Sequence, residues 1–509
     1  MTGLQGLAAT PFDSTAITGV DGESLSFGSL RAEISRHGDA LVRSGILPGD
    51  AVALVVPNGP AALVATLAVA EVAAVAPLNP AFTEAEFRFY LQDLDARAVI
   101  VAGECGAVAA RAAAACAVPV MTLVPRPGGA GVFDLELPAI PDSGRAGVPG
   151  HGGATALLLH TSGTTSHPKL VALSRPSLTR SARGIAAALR LAPGDVCVNA
   201  MPLFHVHGLI GAACASLAAG ATVCCAPGFN PLRFVRWLDA GAATWYTAVP
   251  TMHQAVLARA TGRVPPGVRR SLRLVRSCSS PLPSCIRDGL GEVFQVPVIN
   301  AYGMTEATHQ VSCTPLDGPA AGPGCQSGVG LPTGPEVRVL DPEGAWLPAN
   351  TRGEIALRGP TVITAYERPV EANRTSFHEG WLRTGDEGMV DEEGGITLTG
   401  RLKELINCGG EKISPYEVEE ILLRHPGVAQ AVCFAVPHGR RGEAVAAAVV
   451  LGEGDAPDEK ILRRFVARHL APFKVPERIL HLEQLPKGPT GKLQRIGLAR
   501  RLRLTDEAP

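Results

Sequence analysis

The sequence predicts an α/β protein built on largely parallel sheets, followed by a small β-rich region and a compact α+β unit. Three observations lead there. Apolar runs at residues 51–56, 98–101, 118–123 and 221–225 alternate with alanine-rich stretches at 30–44, 61–72 and 176–189. Strand–helix alternation of this kind argues for parallel sheets covered by helices. From Gly330 the texture changes to short strands broken by Gly and Asp turns, and from Arg401 it changes again.

The apolar runs are short and uninterrupted, as strands buried on both faces are. Residues 125–153 are rich in Gly and Pro and weakly periodic, which predicts a surface excursion. Residues 208–229 carry no charge, but Ala, Gly, Ser, Thr and Cys dominate and Pro227 interrupts them. A small-residue helix followed by a buried strand fits better than a membrane span. Short strands are expected at 337–340, 353–358, 388–390 and 396–398, with a turn at Asp341-Pro342-Glu343-Gly344, forming an antiparallel sheet or a small barrel. Residues 414–425 read as a helix with Ser414 as N-cap, Pro415 in its first position and Glu417 placed for a capping box. A strand at 428–436, a helix at 458–469 and a strand at 478–481 complete the last unit. The expected division is 1–400, with 330–400 as its β-rich part, and 401–509, joined at residues 400–403. No internal repeat is evident.

With 509 residues, 46% of them hydrophobic, the chain can bury large cores. Its net charge of −1 gives no electrostatic reason to expect nucleic acid or an anionic membrane. The twelve cysteines include no Cys-x-x-Cys pair, so neither a disulfide framework nor a zinc site is indicated, and a reducing, cytoplasmic compartment is expected. The N-terminus has no basic start followed by an apolar block, so no signal peptide is read there.

Residues 159–169, LHTSGTTSHPK, follow an apolar run and are dense in Ser, Thr and Gly, closing on Lys169. Hydroxyls, free backbone N–H groups and a lysine at the carboxyl end of a strand suit a polyphosphate. The Gly-Lys-Ser/Thr ending of a Walker A loop is missing. Residues 301–306, AYGMTE, follow the apolar run 296–299 and offer Tyr302 to a base, Thr305 to a phosphate and Glu306 to Mg²⁺. Residues 381–386, WLRTGD, present Asp386 after a tight turn, where with Arg401 it suits a ribose diol. Residues 485–492, LPKGPTGK, form a Gly/Pro loop carrying Lys492 as a mobile point charge. His205 and His207 lie two apart and on an extended segment would share one face; no third metal ligand is near, and an anion-facing or gating role is preferred. Taken singly, each of these motifs suits an ordinary solvated turn as well as a site.

Together, and in this order, they resemble the adenylate-forming superfamily of acyl-CoA synthetases, peptide-synthetase adenylation domains and luciferases, from Gly49-Asp50 to Lys492. Within it the chain is most similar to the oxalate–CoA ligase branch, through residues 202–209, 243–253, 301–309 and 401–415. The resemblance implies a large N-terminal domain of stacked mixed and parallel sheets with a barrel-like β subdomain, and a small mobile C-terminal domain. It implies an AMP-forming ligase that uses ATP, Mg²⁺ and coenzyme A to activate a small carboxylic acid, oxalate being expected. Thr161, Ser162, Gly163, Thr164, Thr165 and Lys169 would then cradle the β- and γ-phosphates. Ala301 and Tyr302 would face adenine, Thr305 the α-phosphate, Glu306 the Mg²⁺, and Asp386 with Arg401 the ribose. Lys492 would bridge the carboxylate and the α-phosphate, Lys403 would be the hinge, and Gly409, Gly410 and Lys412 would face pantetheine. His207, His309 and Ser279 or Ser280 would meet the far carboxylate, with Ser279 also bordering the nucleotide; a protonated histidine would suit that anion.

The loop departs from the family pattern, with Ser166 and Leu170 where glycines are usual, and so does Ala365 before Tyr366. If positive φ is required there, Ser166 and Leu170 would be strained. Alternatives are a medium-chain or aromatic acyl-CoA ligase, an enzyme that loads a carrier protein's phosphopantetheine, and a non-enzymatic nucleotide-binding scaffold. An amino acid substrate would want an Asp for its amine, and residues 206–210 and 277–280 contain none.

Overall fold

The computed structural model describes residues 11–138, 140, 151, 153–161, 168–317, 328–452, 456–487 and 493–504. They form three sheets, of seven, fourteen and five strands.

The seven-stranded sheet has a parallel centre in which Ala51–Val55 pairs with Ala74–Pro77 and Ala98–Val101, and Val120–Pro125 follows. Residues in Ala51–Val55 are buried on both faces, which is why the run shows no alternation. The helix Pro60–Val72 is apolar nearly all round and buried along most of its length, so its sequence carries no polar stripe. The Gly/Pro-rich stretch is more than a surface excursion. Its segment Phe133–Glu136 adds an antiparallel strand, and the buried Phe133 stacks on His37 at 4.0 Å.

The fourteen-stranded sheet changes character along its width. Val196–Asn199, Trp245–Ala248, Leu274–Ser277 and Val298–Met304 are parallel neighbours. Val298–Met304 then pairs antiparallel with His309–Cys313, and antiparallel strands follow through Gly328–Pro332, Ile396–Arg401 and Trp381–Val390 to Gly353–Arg358 and Glu336–Leu340. The expected short strands after Gly330 are therefore an antiparallel extension of the large sheet. The uncharged stretch is helical over His207–Cys214 (a π-helix) and Ala215–Ala218, then a strand at Thr222–Cys225. Among the described residues no helix is long and apolar enough to cross a membrane, and the eleven described cysteines are free.

The five-stranded sheet contains Glu411–Ile413, Ile406–Cys408, Gly442–Leu451, Val428–His438 and Arg478–His481. Ser414 is the N-cap of the helix Pro415–Leu423, but the expected capping box does not form. The Ser414 hydroxyl makes no cap bond, and Glu417 instead accepts from Lys474 Nζ at 2.7 Å. Asp458 does cap Glu459–Ala467, accepting from the N–H of Ile461 at 2.7 Å.

Leu170 is not strained. It lies in the strand Lys169–Ser174, outside the positive-φ residues, and is fully buried. Its N–H donates to the Arg368 carbonyl at 2.7 Å and its carbonyl accepts from Glu367 at 2.9 Å. Ala365 is exposed and likewise has no positive φ. Ser166 lies outside the described residues. Leu170→Gly should therefore destabilise the protein by about 3–5 kcal/mol in denaturant unfolding, as an emptied core site does. A gain in turnover on making that change would mean that a glycine is wanted there after all.

Candidate active site

A cavity of about 1660 Å³ opens between the carboxyl ends of the parallel strands and the C-terminal unit. One corner of it is built by two neighbouring antiparallel strands. Asp386 and Arg401 are directly opposite each other in register. Asp386 is thus mid-strand in Trp381–Val390, not on the turn expected from sequence. Arg401 Nε donates to Asp386 Oδ1 at 2.8 Å, and the Tyr302 hydroxyl donates to Oδ2 at 2.6 Å. The Asp386 N–H donates to Thr384 Oγ1 at 3.1 Å. Asp386 raises the Arg401 pKa, and burial, followed by the Asp386 charge, raises that of Tyr302. The corner therefore holds one fixed carboxylate, with Ala301 and Tyr302 in its wall. Gly303 is required by close approach, since a Cβ there would lie 1.9 Å from the His309 carbonyl oxygen.

A second cluster gathers around Lys169 and Glu306. Thr155–Thr161 and Lys169–Ser174 form a hairpin whose register ends on Thr161 and Lys169. Ser162, Gly163, Thr164 and Thr165, which follow Thr161 in sequence, lie outside the described residues. Lys169 Nζ donates to Ser376 Oγ at 3.0 Å and lies 4.1 Å from the Tyr366 ring centroid. The Tyr366 hydroxyl donates to Glu306 Oε1 at 2.9 Å. Burial lowers the Lys169 pKa, with Glu306 opposing the shift and Lys403 adding to it. Thr305 and Glu306 share a single 3₁₀ turn, Thr305–Ala307, and both line the cavity. One carboxylate oxygen of the buried Glu306 is taken by Tyr366, and no described side chain claims the other. One carboxylate beside substrate phosphates is a donor set that suits Mg²⁺.

The third cluster is the expected acid pocket. Ser279, Ser280 and His309 line the cavity, whereas His207 is fully buried behind Ser279. His207 Nδ1 pairs with Ser279 Oγ at 3.1 Å and Nε2 with Thr247 Oγ1 at 2.6 Å. The two histidine rings stack at 5.2 Å. Ser279 and His309 hold φ of 77° and 88°, an uncommon conformation for residues with a side chain and one that clusters at functional sites. His205 and His207 do not share an extended face, because the chain turns helical at His207, whose N–H donates to His205 Nδ1 at 3.3 Å. No group of three metal-ligating side chains occurs among the described residues.

The C-terminal unit supplies the remaining wall. Lys403 lies in the turn after Ile396–Arg401 and, like Lys412, lines the cavity. Gly409 and Gly410, with φ of 63° and 95°, form the exposed tip between Ile406–Cys408 and Glu411–Ile413. Lys492 lies outside the described residues, but its flanks Lys487 and Leu493 are bridged, and Leu493, Gln494 and Arg495 line the cavity. Arg495 is tied to Glu404, to Glu419 Oε1 at 2.8 Å and to the Cys433 carbonyl at 2.7 Å. Across the interface, Ser284 donates its N–H to Glu420 Oε2 at 3.1 Å, and Gln254 donates to the Ala429 carbonyl.

Sequence reasoning missed Thr247, Arg276, Gln310, Tyr366 and Ser376. Arg276 left one signal, a charge inside a strand whose neighbours are all buried. The others have no local signature, because segments distant in sequence bring them to the site: Thr247 and Gln310 lie on strands, Ser376 on a short helix and Tyr366 on a loop.

Comparison with known proteins agrees with this geometry. The AMP-binding enzyme family matches residues 5–367, and the AMP-binding enzyme C-terminal domain matches residues 417–492. The chain is 41% identical to oxalate–CoA ligase of Arabidopsis thaliana, covering 97% of each chain. It is 37% identical to oxalate–CoA ligase of Saccharomyces cerevisiae over 88% of this chain and 86% of that one. ATP-bound MatB from Rhodopseudomonas palustris superposes with a TM-score of 0.85 at 30% identity, over 99% of both chains.

Proposed function

The chain belongs to the AMP-binding enzymes, and from that premise we propose that it activates oxalate, joining it first to AMP and then to coenzyme A. The observation that carries this reading is one cavity bordered by the Asp386 carboxylate corner, the Lys169–Glu306 cluster and a polar histidine–serine pocket. A fatty or aromatic acid would want an apolar tube in place of that pocket. The relatives named oxalate–CoA ligase support the same substrate.

In this reading Asp386 accepts from the ribose hydroxyls while Arg401 and Tyr302 hold it in place. Lys169 offsets the charge of the β- and γ-phosphates, and the hydroxyls of Ser162, Thr164 and Thr165 would donate to them. Glu306 would hold Mg²⁺, which offsets phosphate charge when bound. One oxalate carboxylate attacks the α-phosphorus, the bond to the β-phosphate oxygen breaks, and pyrophosphate leaves. Lys492 would lie against the attacking oxygen, where its ammonium would offset the charge gathering on phosphorus. The coenzyme A thiolate, its proton lost to solvent, then attacks the acyl carbon and expels AMP, with Gly409, Gly410 and Lys412 along the pantetheine path. Residues 1–400 and 401–509 act as two units with Lys403 between them. The free thiols support a cytoplasmic setting.

The full chain with ATP, Mg²⁺ and coenzyme A should release pyrophosphate on addition of oxalate, faster than with octanoate or cinnamate. A preference for either of those acids over oxalate would overturn the assignment.

A further inference from the structure

Arg276 is among the largest fully buried side chains of the protein, and among the described residues it has no acidic partner. Its guanidinium donates to Thr247 Oγ1 at 3.1 Å, to Gln310 Oε1 at 2.7 Å and to His309 Nε2 at 3.0 Å, and its Nε meets no described acceptor. All three acceptors are neutral groups. A guanidinium does not shed its proton, and a buried cation without a counter-ion is costly. An anion arriving nearby would offset that cost.

The surroundings direct that charge toward the cavity along two short routes. His309, the first contact, lines the cavity itself. Thr247 passes the second contact to His207, which pairs with the cavity-lining Ser279. Guanidinium nitrogens only donate, so His309 Nε2 must accept and its proton must sit on Nδ1. The neutral imidazole is the form compatible with that bond. The groups around the ring agree. His207 stacks on it, Gln310 faces the same guanidinium, Ser181 of the helix Arg175–Ala188 reaches the Thr308 carbonyl, and Glu306 is turned to Tyr366. Gly211 leaves the space, since a Cβ there would lie 2.3 Å from His309 Nε2.

We propose that Arg276 is the residue that selects a doubly charged acid, supplying through neutral His309 and His207 the fixed positive charge that meets the carboxylate remote from the reaction. This rests on the oxalate reading above and replaces the protonated histidine expected from sequence. Arg276 is a positioning residue, because it is sealed behind the histidines.

Two measurements on the full chain separate the charge from mere packing. In Arg276→Met, KM for oxalate should rise about 30-fold or more, as loss of one partner of a buried charge pair does. KM for ATP should hold within about threefold, below half a tenfold step in affinity. Glyoxylate, similar in size with a single charge, should lose little, and Arg276→Lys should restore part of the oxalate affinity. Equal losses for oxalate and glyoxylate would overturn the proposal. Imidazole ¹⁵N spectra, assigned with His309→Gln, give a readout independent of substrate. His309 should carry its proton on Nδ1 and stay neutral from pH 8 to well below the ordinary histidine pKa of about 6.5, and in Arg276→Met it should titrate near that value. A wild-type His309 that is protonated at neutral pH would also overturn the proposal, even if Arg276→Met does not fold. If the wild type ignores oxalate but the His309 spectra behave as expected, the substrate reading fails while the Arg276–His309 pairing stands.

Discussion

Lys492→Ala should slow formation of the acyl-adenylate by about 10²–10³-fold, the usual loss when one preorganised donor to a developing charge is removed. In the first half-reaction a carboxylate approaches a triphosphate, so two anions must meet. Among the described tail residues that line the cavity, none is a lysine. Arg495, three residues on, is committed to Glu404 and Glu419. The loss should be confined to that half. ATP–pyrophosphate exchange should collapse, while thioester formation from preformed acyl-adenylate and coenzyme A should remain near wild type. Equal losses in both halves would make Lys492 a structural residue, and unchanged exchange would remove it from the chemistry.

Asp386→Asn should raise KM for ATP about 100-fold with little change in KM for the acid. The carboxylate takes a hydrogen bond on each oxygen, from Tyr302 and from Arg401, which fixes its plane. A ribose diol donating to it gains charge-assisted bonds of about 1.5–3 kcal/mol each. Asparagine offers one neutral acceptor and a misplaced donor. Arg401 is half-exposed, so water takes over much of the lost ion pair and the fall in stability should stay near 1 kcal/mol. A large stability loss with unchanged KM for ATP would make the pair a structural strut.

Legibility from sequence followed locality. The parallel strands and the helices after them were readable because each is a run of one texture. The motif carrying Tyr302, Thr305 and Glu306 was readable because it is contiguous at a strand end. Asp386 was found, yet its strand setting was hidden by Gly385, which holds φ of 72° inside Trp381–Val390 and looks like a turn. The π-helix at His207–Cys214 was hidden because a uniformly buried small-residue run has no periodicity to read. Leu170 was misjudged by comparison with a glycine pattern, although its buried strand position needs a large apolar side chain. Arg276 lay outside the argument because its significance depends on Thr247, Gln310 and His309, which other strands supply.

The tethers on either side of Lys403 have a mechanical consequence. Arg401 is held to Asp386, and the Leu402 N–H to the Gly385 carbonyl at 2.9 Å. Glu404 is gripped by Arg495 and by the Tyr416 hydroxyl at 2.9 Å. Between these tethers Lys403 is spanned by two turn bonds, from the N–H groups of Glu404 and Leu405 to the Arg401 carbonyl. With Lys403 as the proposed hinge, releasing them would add about 1–3 kcal/mol in all to breaking the contacts that Ser284 and Gln254 make with the C-terminal unit. The tail would then turn as a rigid lever about two dihedral angles, and proline at that one position would weld it.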